Sequence, residues 1–416
     1  MKIIYTLLVY TLIPVAFARL WWRGRKNPAY RQRWQERLGF IPTQTQPCVW
    51  VHAVSVGESI AAIPLIRQLI ATQHPVIVTT MTITGAERVQ ALFGDKVTHF
   101  YLAYDLPGAV KRFLQRAKPL VGIIMETEIW PNLYACCAQE KIPLLLVNAR
   151  LSPKSLRNYS KFLPLFSPAL NHLTQIAAQT KADAERFIAL GAAPEKVSVM
   201  GNIKFDIEIP EKALIEGKAL RNSFANRPVW IAASTHNGEE ENVLMAFAKV
   251  REQHPTALLI LVPRHPERFD KVADFIKQHN LSFTRRSTKD NSTLQNTDVF
   301  LGDTMGELLM FYAAADVAFV GGSLMPIGGH NVLEPAALSV PSITGPHTFN
   351  FTEIMQFMHD ANASIEVSSV EDLANAVNTL FSDPAKRQHM GQLAHQIVLN
   401  NSGAMKNLWD IVEKFI

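Results

Sequence analysis

The sequence predicts an α/β protein with two doubly wound, Rossmann-like domains that face a cleft, preceded by an apolar helix. Short β-rich apolar runs alternate with helical stretches, which is the pattern of a parallel sheet covered by helices. The first series of runs covers residues 49–53, 76–81, 99–103, 121–125, 144–147 and 176–178. The second series covers residues 229–233, 258–262, 299–301, 317–320 and 342–344. With 416 residues and 48% hydrophobic content, the chain can bury two cores of ordinary size.

Residues 1–22 are predicted to form a membrane anchor. The stretch 3–18 is apolar and uncharged, and counting on through Trp21-Trp22 brings it to the ~20 residues needed to span a bilayer. The tryptophan pair would lie at the depth of the membrane interface. A cleaved signal peptide is the alternative, since Ala16-Phe17-Ala18 matches a cleavage site.

The basic segment that follows, residues 23–47, argues against cleavage. Between Arg19 and Arg37 the chain has seven basic residues and one acid, Glu36. Such a flank holds the downstream side in the cytoplasm and is attracted to anionic lipid. We therefore expect an uncleaved anchor, or a helix that lies in the membrane interface.

Composition excludes several classes of protein. The net charge of +5 and the pI near 9.0 suit an anionic membrane surface or a phosphorylated ligand. No basic run with interleaved aromatics indicates nucleic acid. Three cysteines, two of them adjacent, exclude a disulfide framework and fit a reducing compartment. There is no metal-binding, GxSxG, P-loop or strand-anchored GxGxxG motif, so we expect no metal and no cofactor.

Glycine and polar residues follow successive strands in the second series, where open α/β sheets bind ligands. They form the stretches 302–307, 320–323 and 328–335. Asn331 and Glu334 lie three apart at a helix start, so both could reach a ribose, although a capping box explains the same spacing. Three such turns in succession favour a nucleotide site.

Two further strand ends in the second series carry anion-binding side chains. Ser234 and Thr235 end its first strand and suit an anion or a helix cap. Arg264 and His265 follow the next strand between two prolines, which suits a phosphate or carboxylate, with turn stabilisation as the alternative.

The first series has its own polar strand ends. Ser55 and Glu58 have capping-box spacing, and Gly57 between them would admit a sugar or phosphate to the helix start. Glu126 and Glu128 follow a buried strand, and Glu126 is the one expected to point into the cleft. Arg150 ends the next strand and would pair with a carboxylate or phosphate, or form a surface salt bridge.

Together these residues resemble the Kdo transferases of Gram-negative bacteria, which add 3-deoxy-manno-octulosonic acid (Kdo) to lipid A precursor. The resemblance covers essentially the whole chain. It is carried by the anchor and by the stretches 36–39, 52–58, 126–132, 148–150, 263–265 and 302–335.

The resemblance implies a GT-B fold and an inverting, metal-independent transfer from CMP-β-Kdo to lipid IVA at the inner membrane, in lipopolysaccharide inner-core biosynthesis. It matches Glu36 to the proposed general base, at the membrane side where a lipid hydroxyl would be activated. It also matches one set of residues to the CMP side, namely Arg264, His265, Gly302, Met305, Gly306, Glu307, Asn331 and Glu334. The number of Kdo units added varies within the family.

The predicted domains follow from this reading. Residues 48–205 form the acceptor-binding domain, 206–226 the linker, 227–400 the CMP-sugar domain and 401–416 a terminal helix. Three alternatives stay open at this point. They are a lipid-directed GT-B enzyme that uses a UDP-sugar, a nucleotide-sugar epimerase that needs no anchor, and a periplasmic binding protein with a cleaved leader.

Overall fold

The computed structural model describes residues 1–288 and 294–416, and the chain forms two compact units. Unit 1 comprises Met1–Asp206 and Ser402–Ile416, and unit 2 comprises Ile207–Asn401. Each unit contains one seven-stranded sheet in which every described strand pairing is parallel. The α/β class with two parallel sheets, predicted from the alternation of apolar runs, is confirmed.

In unit 1 the strand order is β3-β2-β1-β4-β5-β6-β7. Its strands are β1 (Cys48–His52), β2 (Val76–Thr80), β3 (Thr98–Tyr101), β4 (Pro119–Met125), β5 (Leu144–Ala149), β6 (Gln175–Ala178) and β7 (Val197–Val199). In unit 2 the order is β10-β11-β9-β8-β12-β13-β14. Its strands are β8 (Val229–Thr235), β9 (Leu258–Pro263), β10 (Phe283–Arg285), β11 (Val299–Leu301), β12 (Val317–Val320), β13 (Ser342–Thr344) and β14 (Ser364–Glu366).

Helices cover the sheets and connect the strands. In the first half of the chain they are α1 (Lys2–Arg23), α2 (Val56–Ala61), α3 (Ile63–Ala71), α4 (Ile83–Phe93), α5 (Pro107–Ala117), α6 (Pro131–Gln139), α7 (Pro153–Ser160), α8 (Leu163–Asn171) and α9 (Lys181–Ala189). In the second half they are α10 (Glu211–Ser223), α11 (Glu239–Gln253), α12 (Phe269–Gln278), α13 (Leu308–Ala313), α14 (Leu333–Ala337), α15 (Thr352–Asp360), α16 (Val370–Ser382), α17 (Pro384–Asn401) and α18 (Ala404–Val412).

The central strands are apolar on both faces because helices pack on each side of the sheet. In β1, Trp50 contributes to one core cluster of unit 1, while Val49 and Val51 contribute to the cluster on the opposite face. In β8, Trp230 and Ile231 divide in the same way between the two cores of unit 2. Continuous apolar strands of this kind are typical of parallel sheets buried on both faces.

The structure corrects the prediction of a linker over residues 206–226. Most of that segment is the helix α10, and its Leu220 packs with Phe224 in a core of unit 2. The polar composition of the segment reflects the exposed face of this helix. The predicted terminal helix at 401–416 is α18, whose Leu408 and Val412 pack in a core of unit 1.

Within the described residues, α1 is the helix long and apolar enough to cross a membrane. It has no fully buried residue, and it belongs to unit 1.

Candidate active site

Three non-glycine residues adopt a left-handed backbone at strand ends. Glu126 directly follows β4 with φ 58°, Asn148 lies near the end of β5 with φ 49°, and Ser234 near the end of β8 with φ 55°. The register of β5 with β6 and of β8 with β9 shifts at the latter two positions, as at β-bulges. Residues with a Cβ rarely adopt this conformation, and such strain clusters at functional sites. The strand ends that carry polar motifs are therefore also the strained ones.

Ser55 and Glu58 form a reciprocal capping box at the start of α2. The Glu58 amide donates to Ser55 Oγ at 3.3 Å, and the Glu58 carboxylate accepts from Ser55 Oγ at 2.9 Å and from the Val54 amide at 2.8 Å. Packing does not explain Gly57, because an added Cβ there would have only Ser55 Oγ within 4 Å, at 3.8 Å. Open space therefore lies beside the helix start, as the prediction of a ligand there requires.

Glu58, Glu126 and Glu128 form what we call the carboxylate cluster. Burial, with smaller contributions from the neighbouring Glu58 and Glu126, raises the pKa of Glu128 to about 7. Burial also raises the pKa of Glu58, with a smaller contribution from Glu126. Lys204 is 3.6 Å from Glu126 and offsets part of the repulsion. A carboxyl group with a pKa near neutrality can both accept and return a proton at physiological pH.

The backbone around the cluster is fixed by short polar contacts. The Thr127 hydroxyl donates to the carbonyl of Arg150, which joins the ends of β4 and β5. The Tyr134 hydroxyl donates to the carbonyl of Glu128 from the first turns of α6. The structure therefore brings Arg150 next to the strand end that carries Glu126 and Glu128.

The hydrogen-bond partners of Glu36 are residues outside the carboxylate cluster. It is 8% exposed, in the short helical turn Trp34–Leu38. One carboxylate oxygen accepts from Arg33 Nε at 2.7 Å and the other from the Tyr101 amide at 2.8 Å. Its salt-bridge partner is therefore Arg33, three residues earlier in the chain. These bonds join the basic segment to the end of β3, which is a structural role that competes with the predicted catalytic one.

In unit 2 a buried carboxylate organises the turns after β8 and β12. Glu239 is fully buried and accepts hydrogen bonds from the amides of Gly322 at 2.7 Å, Ser323 at 3.0 Å and Leu324 at 2.9 Å. It also accepts from the amide of His236 at 2.9 Å. An acidic residue at a helix start is favourable with the helix dipole, and Glu239 in addition ties two strand ends together.

Three histidines and an arginine converge on these turns, and we call them the histidine–arginine group. The Nε2 atoms of His236 and His330 are 2.8 Å apart with the rings stacked, and the His265 ring lies 5.1 Å from that of His236. Burial, with smaller contributions from neighbouring His236 and Arg264, lowers the pKa of His330 to about 4. Burial likewise lowers the pKa of His236. These shifts favour the neutral form of the His236 and His330 imidazoles, which lie near the exposed Arg264.

Glu334 lies within the electrostatic reach of the same arginine. Burial raises its pKa to about 7, against opposing contributions from a hydrogen bond with Asn331 and from the charge of Arg264. Asn331 Nδ2 is 3.4 Å from the Glu334 carboxylate, and Asn331 Oδ1 accepts from the Leu333 amide at 3.1 Å. Asn331 Oδ1 thus accepts from the first amide of α14, whose N-cap residue is Val332, and the reciprocal capping box of the structural alternative is not formed; the Glu334 carboxyl has a long contact to Asn331.

Residues 302–307 have divided roles. Gly302 packs closely, since an added Cβ would lie 2.9 Å from Val262 and 3.0 Å from Phe311. Met305 is 58% exposed, and Gly306 has φ 84° with nothing near its Cβ position. Glu307 accepts from Arg286 at 2.7 and 3.1 Å, and this pairing lowers the pKa of Glu307. The turn is therefore open at Met305 and Gly306, whereas Gly302 and Glu307 have structural partners.

Ser234 and Thr235 are both buried. The Arg264 amide donates to the carbonyl of Thr235 at 3.0 Å, which places the predicted phosphate turn beside the end of β8. Sequence reasoning did not select His236, His330 or Lys204 as site residues. His236 directly follows Ser234-Thr235, and His330 lies within the glycine-rich stretch 328–335, so proximity to the chosen motifs was the available signal. No His, Cys, Asp or Glu group within residues 1–288 and 294–416 has the arrangement of a metal site.

The two parallel α/β units and their polar strand ends define a glycosyltransferase of the GT-B type. Residues 32–207 match the family model described as 3-deoxy-D-manno-octulosonic-acid transferase (kdotransferase). Residues 233–396 match the model of glycosyl transferases group 1. A glycosyltransferase structure from Rickettsia africae has a TM-score of 0.54 at 14% identity, covering 89% of this chain and 98% of that one, which supports the fold.

Two curated relatives match over almost their full lengths. The 3-deoxy-D-manno-octulosonic acid transferase of Haemophilus influenzae is 42% identical, covering 100% of this chain and 99% of the relative. That of Bordetella pertussis is 36% identical, covering 99% of each. The chain belongs to the 3-deoxy-D-manno-octulosonic acid transferase family, which confirms the resemblance seen in its motifs and makes it an enzyme of Kdo transfer in lipopolysaccharide biosynthesis. This family membership argues against the two alternatives of a periplasmic binding protein and a nucleotide-sugar epimerase.

Proposed function

We propose that this enzyme transfers Kdo, with inversion, from CMP-β-Kdo to the lipid A precursor lipid IVA, at the cytoplasmic face of the inner membrane. Unit 2 binds the donor and unit 1 the acceptor. The observation that carries the proposal is the presence of two functional sites in one chain, one in each unit. One is a cationic, hydrogen-bonding site in unit 2, and the other is the carboxylate cluster in unit 1, where burial raises the pKa of Glu128 to about 7.

On the donor side, the exposed Arg264 guanidinium binds the CMP phosphate, with His236 and His330 supplying neutral N–H donors. The glycine-rich turns let the nucleotide approach the backbone closely, and Met305 and Gly306 line the open part of one turn. Glu334 accepts hydrogen bonds from the ribose hydroxyls. Ser234 and Thr235 remain proposed donor contacts, as do Ser55 and Gly57 at the sugar or phosphate.

Nucleotide recognition is tested by calorimetry with CMP and UMP on the full chain. Glu334→Ala should lose about 1.5–3 kcal/mol of CMP affinity, as expected for a hydrogen bond to a charged group. Glu371→Ala is the matched control, because this exposed glutamate on α16 pairs with Lys249 rather than with a residue of the nucleotide turns, and the variant should bind CMP normally. Unchanged binding in the Glu334 variant would remove that residue from the nucleotide site. Preference for UMP would favour a UDP-sugar as donor.

For the chemical step, the acceptor hydroxyl oxygen attacks the anomeric carbon of Kdo as the bond to the CMP phosphate breaks. CMP leaves with the bonding electrons, and a carboxylate takes the hydroxyl proton. Arg264 balances the charge that develops on the departing phosphate. We propose that the carboxylate belongs to the carboxylate cluster, with Glu58 and Glu128 as the two candidates. Arg150 and Glu126 contribute to the acceptor side.

This proposal shifts the base away from Glu36, the assignment implied by resemblance. Both oxygens of Glu36 already accept short hydrogen bonds, whereas Glu128 has a pKa near 7, close to the value at which a general base is most effective. The two oxygens of Glu58 are also engaged, but in a local capping box beside open space at Gly57. Glu36 stays a candidate that the same experiment decides.

Single-turnover rates of Kdo transfer should be compared for Glu36→Gln, Glu58→Gln and Glu128→Gln. Loss of the base should slow transfer by about 10²–10⁴-fold while CMP binding in unit 2 persists. Glu36→Gln should lower thermal stability and retain transfer within about tenfold wherever the protein is folded. A severe rate loss confined to Glu36→Gln, in a protein of normal stability, would return the base to that residue.

A further inference from the structure

Helix α1 is attached to unit 1 along one face. The half-buried residues recur every three or four positions, as the period of an α-helix requires. They are Tyr5, Thr6, Val9, Ile13, Ala16, Phe17 and Leu20. Val9 and Ile13 pack against a hydrophobic core cluster of unit 1, and the Phe17 ring lies 5.2 Å from that of Trp34.

Two polar contacts fix the amino-terminal end of α1, one to Asp105 before α5 and one to the first turn of α6. The Tyr5 hydroxyl donates to Asp105 Oδ2 at 2.9 Å, and the Thr6 hydroxyl donates to Asn132 Oδ1 at 3.0 Å. The same Asp105 carboxylate accepts from the amides of Asn132 at 3.1 Å and Leu133 at 2.7 Å, at the start of α6. Asp105 is 5% exposed, so these bonds are largely shielded from water. The helix is thus joined to the globular unit by specific groups as well as by apolar packing.

The opposite face of α1 is apolar and exposed. It comprises Ile3, Ile4, Leu7, Leu8, Leu12, Val15 and Trp22. Exposed fractions on this face reach 77% at Ile3 and 62% at Val15. A contiguous apolar face of this length is unfavourable in water and marks a membrane or a protein interface.

The docked length excludes a membrane-spanning position for the helix in this conformation. From Tyr5 to Phe17 the helix is in contact with unit 1 over roughly 18 Å, at 1.5 Å per residue. If this part crossed the ~30 Å hydrocarbon layer, Asp105 and Asn132 would be drawn in with it. An acidic side chain in the bilayer centre costs at least about 2.5 kcal/mol, and the surrounding loop backbone would cost more.

Basic residues adjoin the carboxyl end of the exposed apolar face. The exposed ones are Arg19, Arg23, Arg25, Lys26 and Arg31. The Arg25 guanidinium lies 4.9 Å from the ring of Trp21 and 4.8 Å from that of Trp22, and Arg31 lies 5.1 Å from Trp21. Paired tryptophans beside guanidinium groups suit the headgroup region of an anionic leaflet, where each cation adds about 1 kcal/mol. Charge and polarity therefore indicate anionic phospholipid as the occupant.

We propose that α1 is a monotopic helix. It lies parallel to the membrane surface with its exposed apolar face in one anionic leaflet and its opposite face docked on unit 1, and it does not cross the bilayer. This inference rests on the proposed membrane association and adds the orientation. Because Asn132 lies in the first turn of α6, which follows the segment 126–130, the docking also sets the carboxylate cluster close to the lipid surface, where a lipid acceptor is presented.

Depth measurements test the orientation directly. Spin labels at Ile4→Cys, Leu8→Cys and Val15→Cys of the full chain, on vesicles of phosphatidylglycerol and phosphatidylethanolamine, report immersion by oxygen and nickel accessibility. The three native cysteines are buried. A helix in the interface places all three labels at similar depths of about 5–10 Å. A spanning helix separates the first and last labels by roughly 16 Å along the membrane normal.

Similar shallow depths at the three labels would support the proposal. A depth that changes steadily from the label at residue 4 to the label at residue 15 would overturn it. Labels that remain in water, like one at the exposed Ile215→Cys in unit 2, would refute membrane association itself. Neither outcome depends on whether Kdo is the transferred sugar, so failure of the orientation and failure of the proposed reaction are distinguishable.

A cross-link tests the docking. Thr6→Cys with Asn132→Cys should form a disulfide on vesicles under copper–phenanthroline, which oxidises the two thiols and is reduced in turn. Leu7→Cys with Asn132→Cys is the matched control, because Leu7 is 61% exposed on the other face and should not cross-link. Absence of the Thr6 cross-link in membrane-bound protein would show that α1 leaves unit 1, and would overturn the proposal.

Discussion

Replacing Glu334 by glutamine should stabilise the unliganded protein, and more strongly at higher pH. Burial raises the pKa of Glu334 to about 7 in the folded protein, from 4.5 in the unfolded chain. Between these values the folded state keeps a proton that the unfolded state releases. Stability from this group is therefore highest at low pH, falls as the pH rises above 4.5, and reaches its minimum above pH 7.

The size of the effect follows from the shift. Each pKa unit corresponds to 1.36 kcal/mol, so a rise from 4.5 to about 7 costs roughly 3 kcal/mol when the carboxyl is fully ionised. At pH 5 the cost is about 0.8 kcal/mol, so the advantage of Glu334→Gln should grow by about 2.5 kcal/mol between pH 5 and pH 8. Glutamine has nearly the same shape as glutamate and does not titrate, so the comparison isolates the effect of the carboxylate charge on stability.

Urea unfolding of the full chain at pH 5 and pH 8 measures this difference, with a probe in unit 2 such as the fluorescence of buried Trp230. Glu307→Gln is the matched control, because Arg286 lowers the pKa of Glu307 and its replacement should destabilise unit 2. An advantage of Glu334→Gln over wild type that is the same at both pH values, or smaller at pH 8, would refute a raised pKa of Glu334. A stabilised variant that binds CMP poorly would show that the site trades stability for ligand binding.

Three further predictions concern other positions. Glu239→Gln should destabilise unit 2 by about 1.5–3 kcal/mol, because the neutral amide cannot satisfy all the amides that converge on the carboxylate; wild-type unfolding in urea would contradict this. Gly345→Ala places a Cβ 2.3 Å from the Ser323 carbonyl oxygen and should cost about 1–3 kcal/mol, whereas Gly108→Ala has free space in α5 and should be neutral or stabilising. The rate of transfer should rise with pH through about 7 as Glu128 loses its proton, and a profile unchanged in Glu128→Gln would assign that limb to another group.

The fold could be predicted because its main strands are long, apolar and separated by turn-forming residues. The three strands that sequence reasoning missed are β7, β10 and β14, each of three residues at or near a sheet edge. Edge strands are half exposed and carry polar residues, so they have no continuous apolar run to reveal them. The helix α10 was hidden for a related reason, since only a narrow stripe that includes Leu220 is buried.

The candidate site was predictable at the level of strand ends and less so at the level of side-chain roles. Polar and glycine residues after parallel strands indicate where a ligand binds, and that rule selected the turns at Arg264 and Glu334. This rule does not tell which carboxylates already accept hydrogen bonds from other parts of the protein. Glu36, Glu239 and Glu307 each accept a short hydrogen bond from a residue that is distant in the sequence, and only the folded structure reveals these partners.

The most direct test of the account is transfer of labelled Kdo from CMP-β-Kdo, generated in the assay, to tetra-acylated lipid A precursor by the purified full chain. The reaction should proceed in the presence of a chelator, release CMP, and give a lipid product whose mass has increased by one or more whole Kdo residues. An unmodified acceptor with CMP-β-Kdo, together with a modified acceptor when a UDP-sugar is supplied, would contradict the proposed function.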